Sequence, residues 1–367
     1  EASPFKNLGM DNPNGSQRYY IGHVNWTGFN GLMEYTGSDK FSAVLQFGTS
    51  SQDYQWEGFY TAAPDTKSRV VTVNGGYIKG GANYRANDNS NFFFNIGQIM
   101  RPPSFDGVFP NADYDFEEAD EILNESFTSF ELGYGFRASN FKATINAYHT
   151  VWGDRTLRRS TSIDDQGVRI IYSGVEQTHQ GIEGEMTWYP SNRLRIKGMF
   201  SLGDWKYTKN FQGDAYFIDN NQPAGTTGTL YLDGVKIGDA AQTVLYLGFD
   251  YKLSSKLSVD LDMMSYDNLH GRFGPLDSEF NSDNNRGSIK LPSWGTADLG
   301  ATYSFNLLGY DARARLNVNN LFDEEYLSQS QTNFHNDGGR TWNGINVENN
   351  VYFGKGTTWN LGLNINF

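Results

Sequence analysis

The final ten residues, TWNLGLNINF, alternate without a break. Trp359, Leu361, Leu363, Ile365 and Phe367 take one parity; Thr358, Asn360, Gly362, Asn364 and Asn366 take the other. A strand turns successive side chains to opposite faces, so this segment carries one continuous apolar face and one continuous polar face. A strand that crosses a membrane needs about 9–11 residues with one face in lipid and the other in a polar lumen. The segment meets both conditions.

The pattern recurs upstream. Leu257, Val259, Leu261 and Met263 alternate with Ser258, Asp260 and Asp262. Ala312, Ala314, Leu316 and Val318 alternate with Arg313, Arg315, Asn317 and Asn319. Phe141, Ala143, Ile145 and Ala147 alternate with Lys142, Thr144, Asn146 and Tyr148, and Leu194 to Leu202 oppose Arg193, Arg195 and Lys197. A soluble sandwich also alternates, and for any single strand that is the plainer reading. Repetition, a charged second face and the loop lengths point instead to a transmembrane wall.

Composition fits a wall that hides its lipid face in alternation. The chain is 38% hydrophobic and 15% aromatic, with a mean hydropathy of −0.57. No stretch approaches the ~18–20 apolar residues of a helical span. The aromatic excess suits girdles at two membrane interfaces. With no cysteine, disulfides and thiolate metal sites are excluded, and a net charge of −13 argues against nucleic acid as a partner. The start, EASPFKNLGMDNPNG, lacks the basic and apolar regions of a signal peptide, so residues 1–18 are expected to be a loop at a truncated or processed start.

Thirteen strands are expected, near 19–36, 41–60, 70–84, 91–101, 127–137, 140–156, 172–189, 193–209, 240–252, 256–269, 294–306, 310–320 and 356–367. Short turns rich in Gly, Asn, Asp, Ser and Pro alternate with long connections, the longest near 102–126, 210–239, 270–293 and 321–355. Residues 157–171 also read as a long connection, and 210–239 as one that folds a small hairpin around Asn220–Gln222. Strict short–long alternation is the rhythm of an up-and-down barrel with periplasmic turns and extracellular loops. The fold class expected is therefore all-β: a transmembrane antiparallel up-and-down β-barrel over residues 19–367. Thirteen is odd and bacterial single-chain barrels use even numbers, so the chain reads as the C-terminal portion of a larger barrel.

The stretch LNVNNLFDEEYL resembles the penultimate-strand signature of TonB-dependent outer-membrane receptors, "N-x-x-N-L-F-D-x-x-Y", filled by Asn317, Asn320, Leu321, Phe322, Asp323 and Tyr326. Asn320 and Asp323 suit a strand turning into a loop, and Phe322 and Tyr326 suit anchors at the interface. IGQIMRPPSFDGVF resembles the "R-x-P-x-F" passage of the same family, HQGIEGEMTWYP its "G-x-E" strand, SLGDWKY the strand after it, and LPSWGTADLGATYSF its "L-P-x-Y-x-x-x-D-L" strand. The terminal Phe367 is similar to the last residue of many outer-membrane barrels. The resemblance implies a 22-stranded receptor of a Gram-negative outer membrane, of which this chain would hold about 13 strands. An N-terminal plug, absent from this chain, would fill the lumen, and energy would come from the inner membrane through TonB. Expected partners are the lipid bilayer, lipopolysaccharide, the plug and TonB; a capping surface lipoprotein stays open.

No catalytic constellation is present. His23, His149, His179, His270 and His335 have no metal-ligand spacing, and no nucleophile elbow, P-loop or dinucleotide fingerprint occurs. Glu183 and Glu185 share one strand face; charge pairing with Arg195 or Lys197 on the next strand, or with basic plug residues, is the reading preferred to catalysis. The resemblance places ligand contacts at outer strand ends and loops, and implies Arg101 and Phe105. The segment PPSFDGVFPN lacks the extended His-bearing signature of some haem importers. His179 is the best-placed histidine for an iron-bearing ligand, although a polar rim residue is the plainer reading. Trp152, Trp205, Tyr207, Arg340 and Trp342 are candidates to stack on or clamp a ligand; interface girdle or loop core is the competing reading for each. Asp113, Asp115, Glu117 and Glu118 supply hard oxygens for a Ca²⁺ loop without EF-hand spacing, as does 277–287; solvated acidic loops are commoner.

Three functions compete: an energised import receptor for a scarce bulky ligand, a passive porin or channel, and a soluble β-rich carbohydrate-binding or adhesin domain. The ligand stays open among ferric siderophore, haem, cobalamin, oligosaccharide and peptide.

Overall fold

The computed structural model describes residues 20–60, 63–110, 118–119, 121–218, 222–274 and 277–366. Thirteen strands follow one another in a single antiparallel sheet, each paired with its neighbour in sequence. They are β1 (Tyr20–Tyr35), β2 (Phe41–Tyr60), β3 (Val71–Asn87), β4 (Ser90–Arg101), β5 (Glu125–Arg137), β6 (Phe141–Ile163) and β7 (Gln166–Ser191). They continue with β8 (Leu194–Tyr207), β9 (Thr243–Lys252), β10 (Leu257–Asp267), β11 (Trp294–Leu307), β12 (Tyr310–Asn319) and β13 (Thr358–Asn366). The thirteen expected strands and their order are those observed. Phe367 lies outside the described residues.

The two faces separate as the alternation requires. Leu202, Leu245, Leu247, Leu299, Leu316 and Leu361 stand exposed on the outward face. The inward parity carries a ladder of charge. Arg195 bonds Asp250 at 2.9 Å, Lys197 lies 3.4 Å from Asp262, and Arg315 forks onto Asp260 at 2.9 Å. Leucines facing outward in an open row are sensible only against lipid. Near the short turns the outward face carries aromatic pairs: Tyr35–Phe41, Phe92–Tyr134, Phe136–Phe141 and Tyr303–Phe305, with centroids 6.1, 5.1, 6.1 and 5.8 Å apart. That is an interfacial girdle. Among the described residues no helix is long and apolar enough to cross a membrane.

Short side chains close the inner turns. Ser38 Oγ accepts from the amides of Lys40 and Phe41, and Ser254 Oγ from those of Lys256 and Leu257. Leu308 and Gly309, at φ 55° and 94°, form the two-residue turn between β11 and β12. Two positive φ values in succession match the twist of a type I′ hairpin.

The outer end departs from the sequence reading at 157–171. Instead of a loop, β6 and β7 run on as one hairpin, with Ile163 opposite Gln166 and a turn at Asp164 and Asp165, φ 49° and 63°. Polar Arg, Ser and Thr on both parities hid the strands there. The hairpin expected within 210–239 is present: Phe211–Phe217 pairs with Pro223–Leu230 and with Val168–Tyr172 of β7. Its tip at 219–221 lies outside the described residues.

Buried packing sits in the outer loops, since both faces of the wall look onto lipid or lumen. Val168, Tyr172, Val175, Phe211, Leu230 and Phe280 form one buried cluster, and Leu269, Ile289, Leu291 and Leu327 another. In a third, the short helix Phe105–Val108 folds inward, and Val108 and Phe109 pack on Tyr54 and Trp56 of β2. The Tyr54 hydroxyl donates to the Pro103 carbonyl at 2.8 Å and holds that loop down. The sheet is open: β1 pairs with β2 alone and β13 with β12 alone among the described residues.

Candidate functional site

Register alone assembles a row of side chains on the inward face at the outer end. Arg101 stands opposite Glu125, Phe127 opposite Trp152, and Trp152 opposite Gln177; His179 faces Trp205, and Gln177 faces Tyr207. The contacts follow. The Arg101 guanidinium lies 5.4 Å from the Phe127 centroid while its other side is bonded to Glu125. Phe127 and Trp152 stack at 5.0 Å and 26°, and Arg155 sits 3.8 Å from the Trp152 ring. His179 lies 5.5 Å from Trp205, whose indole donates to Tyr148 Oη at 2.8 Å. Tyr207 packs on Phe273 at 5.8 Å. Cations over ring faces and rings at offset-stack distance are attractive arrangements, strengthened where water is displaced.

Arg155 reaches this row through a β-bulge. Pairing between β6 and β7 shifts between Trp152 and Arg155, and Asp154 takes φ 56°. Without the extra residue, Arg155 would share the outward parity of Ile145 and Ala147. The bulge turns it inward over Trp152. Sequence reading passed over Arg155 and Phe127; the Gly153-Asp154 pair inside a strand was the available signal.

Two nitrogens in the row are buried without a hydrogen-bond partner: Trp152 Nε1 and His179 Nε2. Buried polar atoms are normally satisfied, so each orphaned one calls for an explanation, of which an arriving ligand group is one. Beneath Phe127 the inward face opens into a cavity of about 370 Å³ lined by Val44, Lys79, Asn95, Ile99, Ser129 and Glu131.

Five of the eight candidate ligand residues thus converge: Arg101, Trp152, His179, Trp205 and Tyr207. Phe105 lies apart, stacked on Tyr20 at 5.9 Å and packed on Phe109. Trp342 is half-buried in the last outer loop, edge-on to Phe353 at 5.1 Å and packed on the Leu291–Leu327 cluster. Arg340 is exposed on that loop.

The carboxylate pair does not take Arg195 or Lys197 as its partner. Glu183 accepts from Ser201 Oγ at 3.0 Å, while Arg195 and Lys197 are taken by Asp250 and Asp262. The register explains this: Lys197 stands opposite Thr187 and Gly248, so the β9 and β10 carboxylates reach it instead. Of the calcium candidates, Glu118 forks onto Arg69, and Asp113, Asp115 and Glu117 lie outside the described residues. In 277–287, Asp277 caps the turn Ser278–Asn281 and Glu279 binds Arg286 at 2.7 Å. Among the described residues no three His, Asp or Glu side chains gather as a metal site.

The signature residues tie the two ends of the last outer loop. Asn320, buried at φ 48°, donates from Nδ2 to the carbonyls of Glu324 and Lys355 at 2.9 and 3.1 Å, and its Oδ1 accepts from the Glu324 amide. Asp323 Oδ1 accepts from the Thr357 amide at 2.8 Å. Phe322 is 78% exposed, as an interface anchor should be. Tyr326 instead stacks on inward-facing Trp294 at 5.1 Å and 7°, drawn there by the larger ring contact.

The sequence profile described as "TonB dependent receptor-like, beta-barrel" matches residues 4–321, and the chain belongs to that family. Its fold is that of solved receptors. The ferric-catecholate import receptor Fiu from E. coli matches at a TM-score of 0.59 and 16% identity, covering 95% of this chain and 45% of that one. The ferric yersiniabactin uptake receptor FyuA from Yersinia pestis matches at 0.60 and 12%, covering 95% and 47%. The FrpB iron transporter from Neisseria meningitidis matches at 0.60 and 14%, covering 98% and 48%. The chain spans about half the length of these structures. No curated sequence matches it. The family and the fold are those of outer-membrane β-barrels.

Proposed function

We propose that this chain forms part of the wall and the outer mouth of an energised import receptor. On this reading a scarce, bulky ligand is caught at the row from Arg101 to Tyr207. It is then moved inward past a plug that TonB displaces. The carrying observation is the row itself: two arginines and an imidazole interleaved with aromatic rings, with the nitrogens of Trp152 and His179 buried and unpartnered. Such a surface favours a planar ligand with negative or electron-rich edges over a neutral glycan, and the iron chelates handled by Fiu and FyuA are of a kind that suits it. The open edges of β1 and β13 support a wall completed by further strands, because unpaired backbone groups cannot face hydrocarbon. The inner ladder of Arg195, Lys197, Asp250, Asp260, Asp262 and Arg315 suits the surface of a polar plug.

Tryptophan fluorescence tests the mouth, since Trp152 and Trp205 stand within it. The protein, extracted from outer membranes, is titrated with a ferric catecholate, haemin, cyanocobalamin and a maltooligosaccharide. The expected result is saturable quenching by a planar anionic probe, lost in Trp152→Leu. Equal, non-saturating responses to all four would argue for the passive-channel reading, in which the wall has no built site.

A further inference from the structure

The inner end of the wall gathers positive charge in a chain that is negative overall, with 29 Lys and Arg against 42 Asp and Glu. At three strand junctions the innermost rung sets cation opposite cation. The Arg85 amide donates to the Lys40 carbonyl at 2.7 Å, and the Lys252 amide to the Arg193 carbonyl at 2.8 Å. Arg137 stands directly opposite Lys142. All six share the parity of Glu185, Lys197 and Asp250, so their side chains leave on the lumen side. All six are exposed, and none has a carboxylate within ion-pair distance among the described residues. Further up the wall, Arg195, Lys197 and Arg315 are each paired with an aspartate. Like charges directly opposite on a sheet repel, so three such rungs destabilise the wall and find no compensation within it. Arg193 and Lys252 line a cavity of about 820 Å³ with Tyr189 and Ser258. Arg137 and Lys142 line another of about 210 Å³ with Thr144 and Glu185.

We propose that this rim docks an acidic polypeptide segment of a separate periplasmic protein, whose carboxylates neutralise the three cation pairs. The pairs recur every third strand, about 14 Å apart, so the arc spans about 29 Å. That is wider than a small imported ligand and matches about nine residues of extended chain. Parity selects against lipid headgroups, which meet the opposite face of the wall. A segment lying across the opening reaches all three pairs at once, and the two cavities give its side chains a concave seat. The inference rests on the family's orientation, with short turns in the periplasm, and is independent of which ligand the mouth takes.

Fluorescence anisotropy of fluorescein-labelled decaglutamate, titrated with the full receptor in detergent, tests the rim. The wild type is expected to bind one peptide saturably. Affinity should fall steeply between about 0.01 and 0.1 M salt, as the screening length shortens from about 30 to 10 Å. Lys40→Gln/Arg137→Gln/Lys252→Gln, one residue from each pair, is expected to weaken binding at least about tenfold, the loss of three exposed ion pairs together. Its thermal stability should not fall, because each substitution removes a repulsion. Lys206→Gln/Lys236→Gln at the outer end, where both lysines already hold Asp204, is expected to bind as wild type. Equal peptide binding by the inner triple variant would overturn the proposal. So would slow acetylation of Lys40, Lys142 and Lys252 in the full receptor without peptide, which would assign the rim to the plug. Co-sedimentation with purified peptidoglycan that the triple variant loses would overturn it in favour of the cell wall. If the triple variant does not fold, as judged by heat-modifiable gel mobility, Lys142→Arg and Lys142→Gln carry the test. The Arg variant should bind as wild type and the Gln variant about two- to fivefold more weakly; equal affinities would overturn the rim. Tryptophan quenching at the mouth is read separately, so the two sites fail independently.

Discussion

Arg155 shows how much one inserted residue decides. The bulge at Asp154 moves a guanidinium from the lipid side to a position 3.8 Å from the Trp152 ring. Arg155→Ala is expected to weaken binding of a planar anionic probe about tenfold, the scale of a largely desolvated cation–π contact. Titration by fluorescence checks it, and an unchanged affinity would separate Arg155 from the ligand. Asn320 does equivalent work for structure. Its side chain makes two hydrogen bonds to Glu324 at the start of a loop and one to Lys355 at its end, in a conformation that Ala tolerates poorly. Asn320→Ala should destabilise that loop by roughly 3 kcal/mol, seen as faster amide exchange at Glu324 and Thr357. Glu279 carries a pH dependence. Hydrogen bonds from Arg286 lower its carboxyl from an ordinary 4.5 to about 2. A depressed folded-state pKa stabilises the loop above pH 4.5, and that contribution disappears as pH falls toward 2. Proteolysis within 277–287 should therefore rise through that window in the wild type and show a flatter response in Glu279→Gln.

At the scale of elements, hairpins follow their turns. Leu308 is 91% exposed at φ 55°, a poor conformation for a leucine. Leu308→Asn should stabilise the β11–β12 hairpin by about 0.5–1 kcal/mol, measured by urea unfolding in detergent, because Asn tolerates positive φ. The thirteen wall strands were legible because period-2 alternation is imposed by lipid on one side and water on the other. The 157–171 hairpin was not, since the run Arg158–Ser162 is polar on both parities and no lipid face imposes alternation on it. Arg155 was missed for a related reason: parity counted along a strand fails at a bulge. The partners of Glu183 and Lys197 were missed because cross-strand register is set by turn geometry, which composition does not reveal. Trp152, His179, Trp205 and Tyr207 could be named from their outer-end positions, but only register brings them into one row.

The whole molecule is a curved antiparallel wall whose packed cores lie in its outer loops. Tyr54, Trp56, Val108 and Phe109 draw one loop inward, while Tyr172, Phe211 and Phe280 stiffen another. This arrangement leaves the wall to its environments and holds the mouth residues in place. The central claim, that the mouth captures a ligand for energised import, is tested most directly by uptake. Cells carrying the full receptor are given a labelled ferric catecholate, with and without collapse of the proton-motive force. The account predicts uptake that saturates, stops when the force is collapsed, and falls in Arg155→Ala at limiting ligand. Uptake that rises linearly with concentration and continues without the force would contradict it, leaving a passive channel.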